Sequence, residues 1–335
     1  MPRPVRNQVV VITGASSGIG RETAVMLGQR GASVVLAARN EAALREVAKE
    51  IERLGGVAEV AGTDVAEWPQ VEHLAQAAVD RFGRIDTWVN NAAVSTYATF
   101  EELTVEEIER VLQVNLVGQI YGMKAALPHL ARQGQGTIIN VASALAERAA
   151  PLQAAYCAAK HGVKGFTEAL RLELVRDHPG ITVTLIEPSS INTPLFRHAR
   201  SKLGVLPQPI PPVYEPRVVA ETILFAAENR RRTIVAGGSG KMLVQAEKLS
   251  PSLVDWYMLQ QERGFSQQQT DRPDDGQDNL FAPMSGTGSA TGEFGQRSKA
   301  TSLYTRHLEL HPNRKRALNA AVLAGLVALM RRVGR

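Results

Sequence analysis

Seven short runs of β-branched and small apolar residues, separated by longer stretches of helical spacing, constrain this chain more than any single motif. They are QVVVITG (8–14), ASVVLAA (32–38), GVAEVAG (56–62), IDTWVNNA (85–92), GTIINVAS (136–143), ITVTLIEP (181–188) and TIVAGG (233–238). Continuous apolar runs of this length read as strands buried on both faces. Between them lie stretches such as NEAALREVAKEIERLGG, where Asn40 has the chemistry of a helix N-cap and Gly55 that of a stop. Strand–helix alternation predicts a parallel sheet covered on both sides, and right-handed crossovers then predict a doubly wound α/β sandwich. The pattern holds to about residue 260, which predicts one domain over 1–260.

The character then changes. Residues 261–306 are polar and rich in Gly, Gln, Asp and Ser without a defensible period, the composition of a linker or a draped arm. Phe281 and Phe294 are its candidate pins to the surface. Residues 307–335 hold an almost uncharged stretch, ALNAAVLAGLVALM (317–330), framed by RKR (314–316) and RRVGR (331–335). The net charge of +5 is partly this local excess, and no basic patch interleaved with aromatics points to nucleic acid. A single cysteine excludes an internal disulfide framework and a Cys-based zinc cluster within one chain. The seven His residues lack metal-ligand spacing, so no metal is expected. The N-terminal apolar run is too short for a signal peptide, and a cytoplasmic setting is expected.

TGASSGIG (Thr13–Gly20) follows the first strand and opens the first helix. Glycines at 14, 18 and 20 permit a tight turn and close approach of backbone to an anion at a helix N-terminus. Position within a βαβ unit is the context that a dinucleotide site requires. The spacing is TGxxxGxG. Further along come DV (Asp64, Val65), NNAA (Asn90–Ala93), Asn115 in VNLVG, Ser143, YCAAK (Tyr156–Lys160) and PSSINT (Pro188–Thr193). With these markers in this order the chain resembles the short-chain dehydrogenase/reductase family of the TGxxxGxG and YxxxK type, over about residues 5–240.

The resemblance implies a Rossmann-like fold and a nicotinamide dinucleotide bound by Gly14, Ser16, Ser17, Gly18, Ile19, Gly20, Asp64, Val65, Asn91, Ala92, Pro188, Ile191 and Thr193. It places Asp64 near the adenine edge and Asn90 near the adenosine ribose. At the end of the second strand, Ala38 stands where an acid would select NAD, and Arg39 follows it. A carboxylate there would repel a 2′-phosphate, whereas a guanidinium binds one bidentately. NADP(H) over NAD(H) is therefore expected, although the loop carries Ser17 rather than a second basic residue. Departures from the family pattern are Ala93 and Ser189, each where a glycine is usual.

Tyr156 and Lys160, at i and i+4, share a helix face. A nearby ammonium favours phenolate, so Lys160 is expected to draw the Tyr156 pKa down towards working pH. By resemblance Tyr156 is the acid/base, Lys160 also meets the nicotinamide ribose, Ser143 orients the substrate carbonyl, and Asn115 holds a water that extends a proton relay. The implied activity is hydride transfer between NADP(H) and a carbonyl or secondary alcohol; a dinucleotide-binding sensor without turnover is the alternative. Cys157 is expected to pack as a small hydrophobe. The segment 195–216 lies where the family has its substrate lid. Leu195, Phe196 and Leu206 there suggest an apolar substrate, with Arg197 and His198 able to meet an acidic group or simply water. Family members commonly pair through the helices carrying Asn115 and Tyr156, which implies a homo-oligomer. As a helix, residues 317–330 would span about 21 Å, short of a hydrocarbon core of about 30 Å. Membrane attachment through residues 314–335, docking on protein, and a disordered tail all remain open.

Overall fold

The computed structural model describes residues 2–260, 263–317 and 320. Seven strands build one sheet: β1 (Val9–Thr13), β2 (Ser33–Ala38), β3 (Val57–Gly62), β4 (Thr87–Asn90), β5 (Gly136–Val141), β6 (Ile181–Pro188) and β7 (Thr233–Ala236). Their order is β3-β2-β1-β4-β5-β6-β7, with every neighbouring pair parallel. Each of the seven runs found in the sequence supplies one strand. Strand order reverses between β1 and β4, and such a switch point opens a crevice at the carboxyl ends of the strands.

Helices α1 (Gly18–Gln29) and α2 (Glu41–Arg53) cover one face. On the other lie α3 (Trp68–Phe82), α4 (Val105–Leu112), α5 (Gly118–Gln133) and α6 (Ala154–Asp177). Helix α7 (Pro216–Glu228) packs beside α1 and completes the first core, with Leu27, Leu44, Val219 and Ile223 buried against β1 and β2. The second core gathers Val71, Leu74, Val111 and Leu130 beneath β4 and β5. Asn40 caps α2, its Oδ1 accepting from the Ala43 amide at 3.0 Å. Gly55 follows that helix with φ +83°, the left-handed conformation that ends helices cheaply.

Buried polar side chains lock α6 to the sheet. Trp88 Nε1 donates to Asn90 Oδ1 (2.8 Å), Asn90 Nδ2 to Asn140 Oδ1 (2.9 Å), and Asn140 Nδ2 to Thr167 Oγ1 on α6 (2.8 Å). Satisfied networks of this kind fix one arrangement of the elements they join. They tie β4, β5 and α6 together.

After β7 the chain forms α8 (Gly238–Leu249) and α9 (Pro251–Leu259), then turns back as an arm. Gln269–Pro273 pairs antiparallel with Val205–Pro207, and Ser298–Lys299 pairs parallel with Val213–Tyr214. Leu280 is fully buried among the residues of the second core. Phe294 is buried with Tyr97 and Phe196, its ring edge-on to Phe196 at 5.9 Å, whereas Phe281 is half exposed under the Arg200 guanidinium. Among the described residues no helix is long and apolar enough to cross a membrane. Most of the apolar stretch 317–330 falls outside them.

Candidate active site

Loops at the switch point build the floor of the site. Gly14 and Gly18 have φ +68° and +56°, and a Cβ on Gly14 would lie 2.8 Å from Ala92 Cα. The loop after β1 therefore presses against the loop after β4 at a distance only glycine allows. Thr13 joins them further: its Oγ1 accepts from the Asn91 amide (3.0 Å), and its carbonyl from Asn91 Nδ2 (3.0 Å). A cavity of about 490 Å³ runs along this floor. Its wall includes Gly14, Ser16, Ser17, Gly18 and Ile19 from the loop, and Arg39, Asp64 and Val65 at one end. Asn91, Ala92 and Ala93 follow β4, Pro188 ends β6, and Ile191 and Thr193 come after it.

At the other end stand Ser143, Tyr156 and Lys160. Ser143 follows β5, and its Oγ accepts from the Leu145 amide at 3.1 Å. With that lone pair engaged, the hydroxyl proton is left to donate elsewhere. Helix α6 carries the Tyr and Lys side by side, the Lys160 Nζ lying 5.5 Å from the Tyr156 ring centre and donating to the Val141 carbonyl at 2.9 Å. Both are buried. Burial pushes the Tyr156 phenol above its ordinary pKa, and a hydrogen bond with Ser143 offsets this only in part. Burial also pulls Lys160 down to about 7. Desolvation dominates at Tyr156, so the lowering expected from the ammonium is not seen there.

Several expected residues serve elsewhere. Gly20 is not on the cavity wall; a Cβ there would come 2.2 Å from the Gly14 carbonyl oxygen, so it spaces α1 against the loop. Asn90 is enclosed in the β4–β5–α6 network rather than facing the cavity. Asn115 lies in a π-helical step, Gln113–Val117, between α4 and α5. Its side chain clasps the Val94 backbone, Oδ1 accepting from N and Nδ2 donating to O, each at 2.8 Å. Such π steps frequently mark functional sites. Arg197 is ion-paired with Asp275 of the arm, and Leu206 is buried outside this cavity, while Leu195, Phe196 and His198 line it. Cys157 is buried, with its thiol pushed up by burial. Ser189, standing where the family has glycine, is accommodated by Gly237: a Cβ on Gly237 would fall 1.9 Å from Ser189 Oγ.

No motif marks the cavity's outer wall. Tyr257, Met258, Arg263 and the arm residues Asn279, Pro283 and Met284 come from stretches without motif or period. Only Gln153, three residues before Tyr156 at the start of α6, carried a positional hint.

Comparison with known proteins agrees with this geometry. Residues 8–204 match the family model described as short chain dehydrogenase. The uncharacterized oxidoreductase YxnA of Bacillus subtilis is 39% identical over 331 residues, which is 97% of this chain and 90% of that protein. The uncharacterized oxidoreductase SSP1627 of Staphylococcus saprophyticus is 35% identical, covering 69% of this chain and 94% of its own length. Among solved structures, an alcohol dehydrogenase from the archaeon Thermococcus sibiricus, complexed with 5-hydroxy-NADP, superposes with a TM-score of 0.60 at 26% identity. That match covers 68% of this chain and 95% of the archaeal one.

Proposed function

Given that the chain belongs to the short-chain dehydrogenase family, we propose that it is an NADP(H)-dependent oxidoreductase interconverting a carbonyl and a secondary alcohol on an apolar small molecule. The observation that carries the reading is one continuous cavity joining the glycine loop, Gly14–Ile19, to Ser143, Tyr156 and Lys160. Its residues suit a dinucleotide. The loop is tight enough to require glycine at 14, the first helix opens on it, and the far end holds a cation.

A bound nicotinamide supplies or receives the hydride. The protein's part is to orient the substrate and manage a proton. Ser143 Oγ, fixed by the Leu145 amide, directs its O–H at the substrate oxygen. Tyr156, protonated at neutral pH because burial raises it, gives its proton to that oxygen as negative charge develops. Lys160 keeps N–H groups beyond the one bonded to Val141 O, and its depressed pKa lets it exchange a proton near neutrality. Leu145, Leu195, Phe196 and Leu243 make the substrate end apolar. NADPH consumption against a panel of ketones, aldehydes and quinones tests the reading; absence of dinucleotide binding would refute it.

Arg39 supports the preference for a 2′-phosphate. Two of its five guanidinium N–H groups are engaged by main-chain carbonyls, leaving the others to a ligand. Arg39→Ala is expected to lower the ratio of kcat/KM for NADPH to that for NADH by roughly 10- to 100-fold, the worth of one or two charge-assisted bonds. Steady-state kinetics with both dinucleotides measures the ratio, and a ratio unchanged within twofold removes Arg39 as the selector.

Pairing of subunits is supported by the outer face of α6, where Leu172 and Val175 are 68% and 65% exposed. Apolar side chains in that position suit burial by a second copy. Leu172→Glu with Val175→Glu is expected to shift the protein to a smaller species in light scattering. A monomeric wild type would defeat the assignment.

A further inference from the structure

Residues 279–289 of the arm lie across the phosphate loop and the ends of β1 and β2, beyond the segment that the family model matches. Their grip has an unusual form: the donors belong to the core and the acceptors are main-chain carbonyls of the arm. Arg39 donates to the Asn279 and Phe281 carbonyls, the latter at 3.1 Å. Asn40 Nδ2 reaches the Met284 and Gly286 carbonyls at 2.8 and 2.9 Å. Arg21 Nη1 takes those of Thr287 and Gly288 at 2.9 and 3.0 Å. The Gly18 amide itself donates to the Ser289 carbonyl at 2.8 Å. Arg110, paired with Asp64, holds the Leu280 carbonyl at 3.0 Å, beside the fully buried Leu280 side chain.

We propose that this strap is the outer wall of the dinucleotide site and the gate through which the dinucleotide exchanges. The inference rests on the function proposed above. Pro283, Met284, Ser285 and Gly288 line the same cavity as Arg39 and the glycine loop, so a dinucleotide lying there is roofed by the strap. Gly288 sits directly on the loop: it has φ +70°, and a Cβ would lie 2.4 Å from the Ser16 carbonyl oxygen. Leu280 pins one end of the strap in the core, while the stretch from Met284 to Ser289 is held by hydrogen bonds to charged and polar donors. Those bonds can break in turn without exposing any fully buried apolar side chain, Met284 being half-buried and the residues after it exposed, which makes this stretch the part that lifts.

Two variants loosen it differently. Gly288→Val meets the Ser16 carbonyl and a left-handed backbone angle together. Arg21→Gln removes both charge-assisted bonds to Thr287 and Gly288 from a residue off the cavity wall. Stopped-flow fluorescence of NADPH gives kon and koff directly, with a thermal melt confirming that each variant folds. A gate predicts that both rates rise together, by about tenfold for the loss of charge-assisted bonds worth a factor of ten or more. Rates within twofold of wild type, or a fall in kon accompanying the rise in koff, overturn the gate. If Gly288→Val fails to fold, Arg21→Gln decides alone. Wild-type protein that binds neither NADPH nor NADH overturns the function itself, an outcome distinct from unchanged rates in the variants.

Discussion

Tyr156→Phe is expected to lower kcat by roughly 10²- to 10⁴-fold, the usual worth of a positioned acid, while NADPH affinity stays within a few-fold of wild type. The substitution keeps the ring of a residue only 8% exposed and removes only the hydroxyl. A drop in kcat and kcat/KM together, with an unchanged dissociation constant, is the signature of an interaction made in the transition state alone. The direction of the Tyr156 shift adds a second expectation. Because burial holds the phenol above its ordinary pKa, the resting group is an acid, and carbonyl reduction should not fall off through loss of the Tyr156 proton across pH 6–9. Single-turnover reduction by pre-loaded enzyme measures both. A variant retaining a tenth or more of wild-type turnover would transfer the proton role to another group.

The strands were legible because seven apolar runs separated by helical periods leave few other folds open. That Ser143, Tyr156 and Lys160 line one cavity was legible because the three are read by order and spacing, which survive without coordinates. What the order of motifs does not carry is which way a side chain faces. Asn90 and Asn91 are adjacent in the sequence, yet one closes a buried network with Asn140 and the other lines the cavity. Gly20 shares a motif with Gly14 and Gly18 but packs against the Gly14 carbonyl and is absent from the cavity wall that those two line. Arg197 looked available until the arm supplied Asp275 from 78 residues further along the chain. The strap escaped for a different reason. Its hold is made by backbone carbonyls, and every residue has one, so no residue type marks the contact.

Charge burial at Lys160 leads to the second large effect. Lys160 is 1% exposed, and among the described residues its Nζ bonds the neutral carbonyl of Val141 rather than a carboxylate. A lysine whose folded pKa is depressed to about 7 binds fewer protons than its unfolded counterpart, which titrates near 10.4. Stability therefore rises with pH through that window, by roughly 1.4 kcal/mol per pH unit at most. The penalty is full below about pH 7 and gone above about pH 10.4. Lys160→Met keeps the stem and removes the titration. It is expected to melt higher than wild type at pH 6, and the gap should narrow steadily as pH rises to 10. The same variant should lose turnover by roughly 10²-fold or more, because the proton exchanger beside Tyr156 is gone. Comparing thermal or urea unfolding of the two proteins across pH cancels the other titrating groups. A difference independent of pH would mean that Lys160 stays charged in the folded protein, and the proton exchange near neutrality assigned to it would then fall.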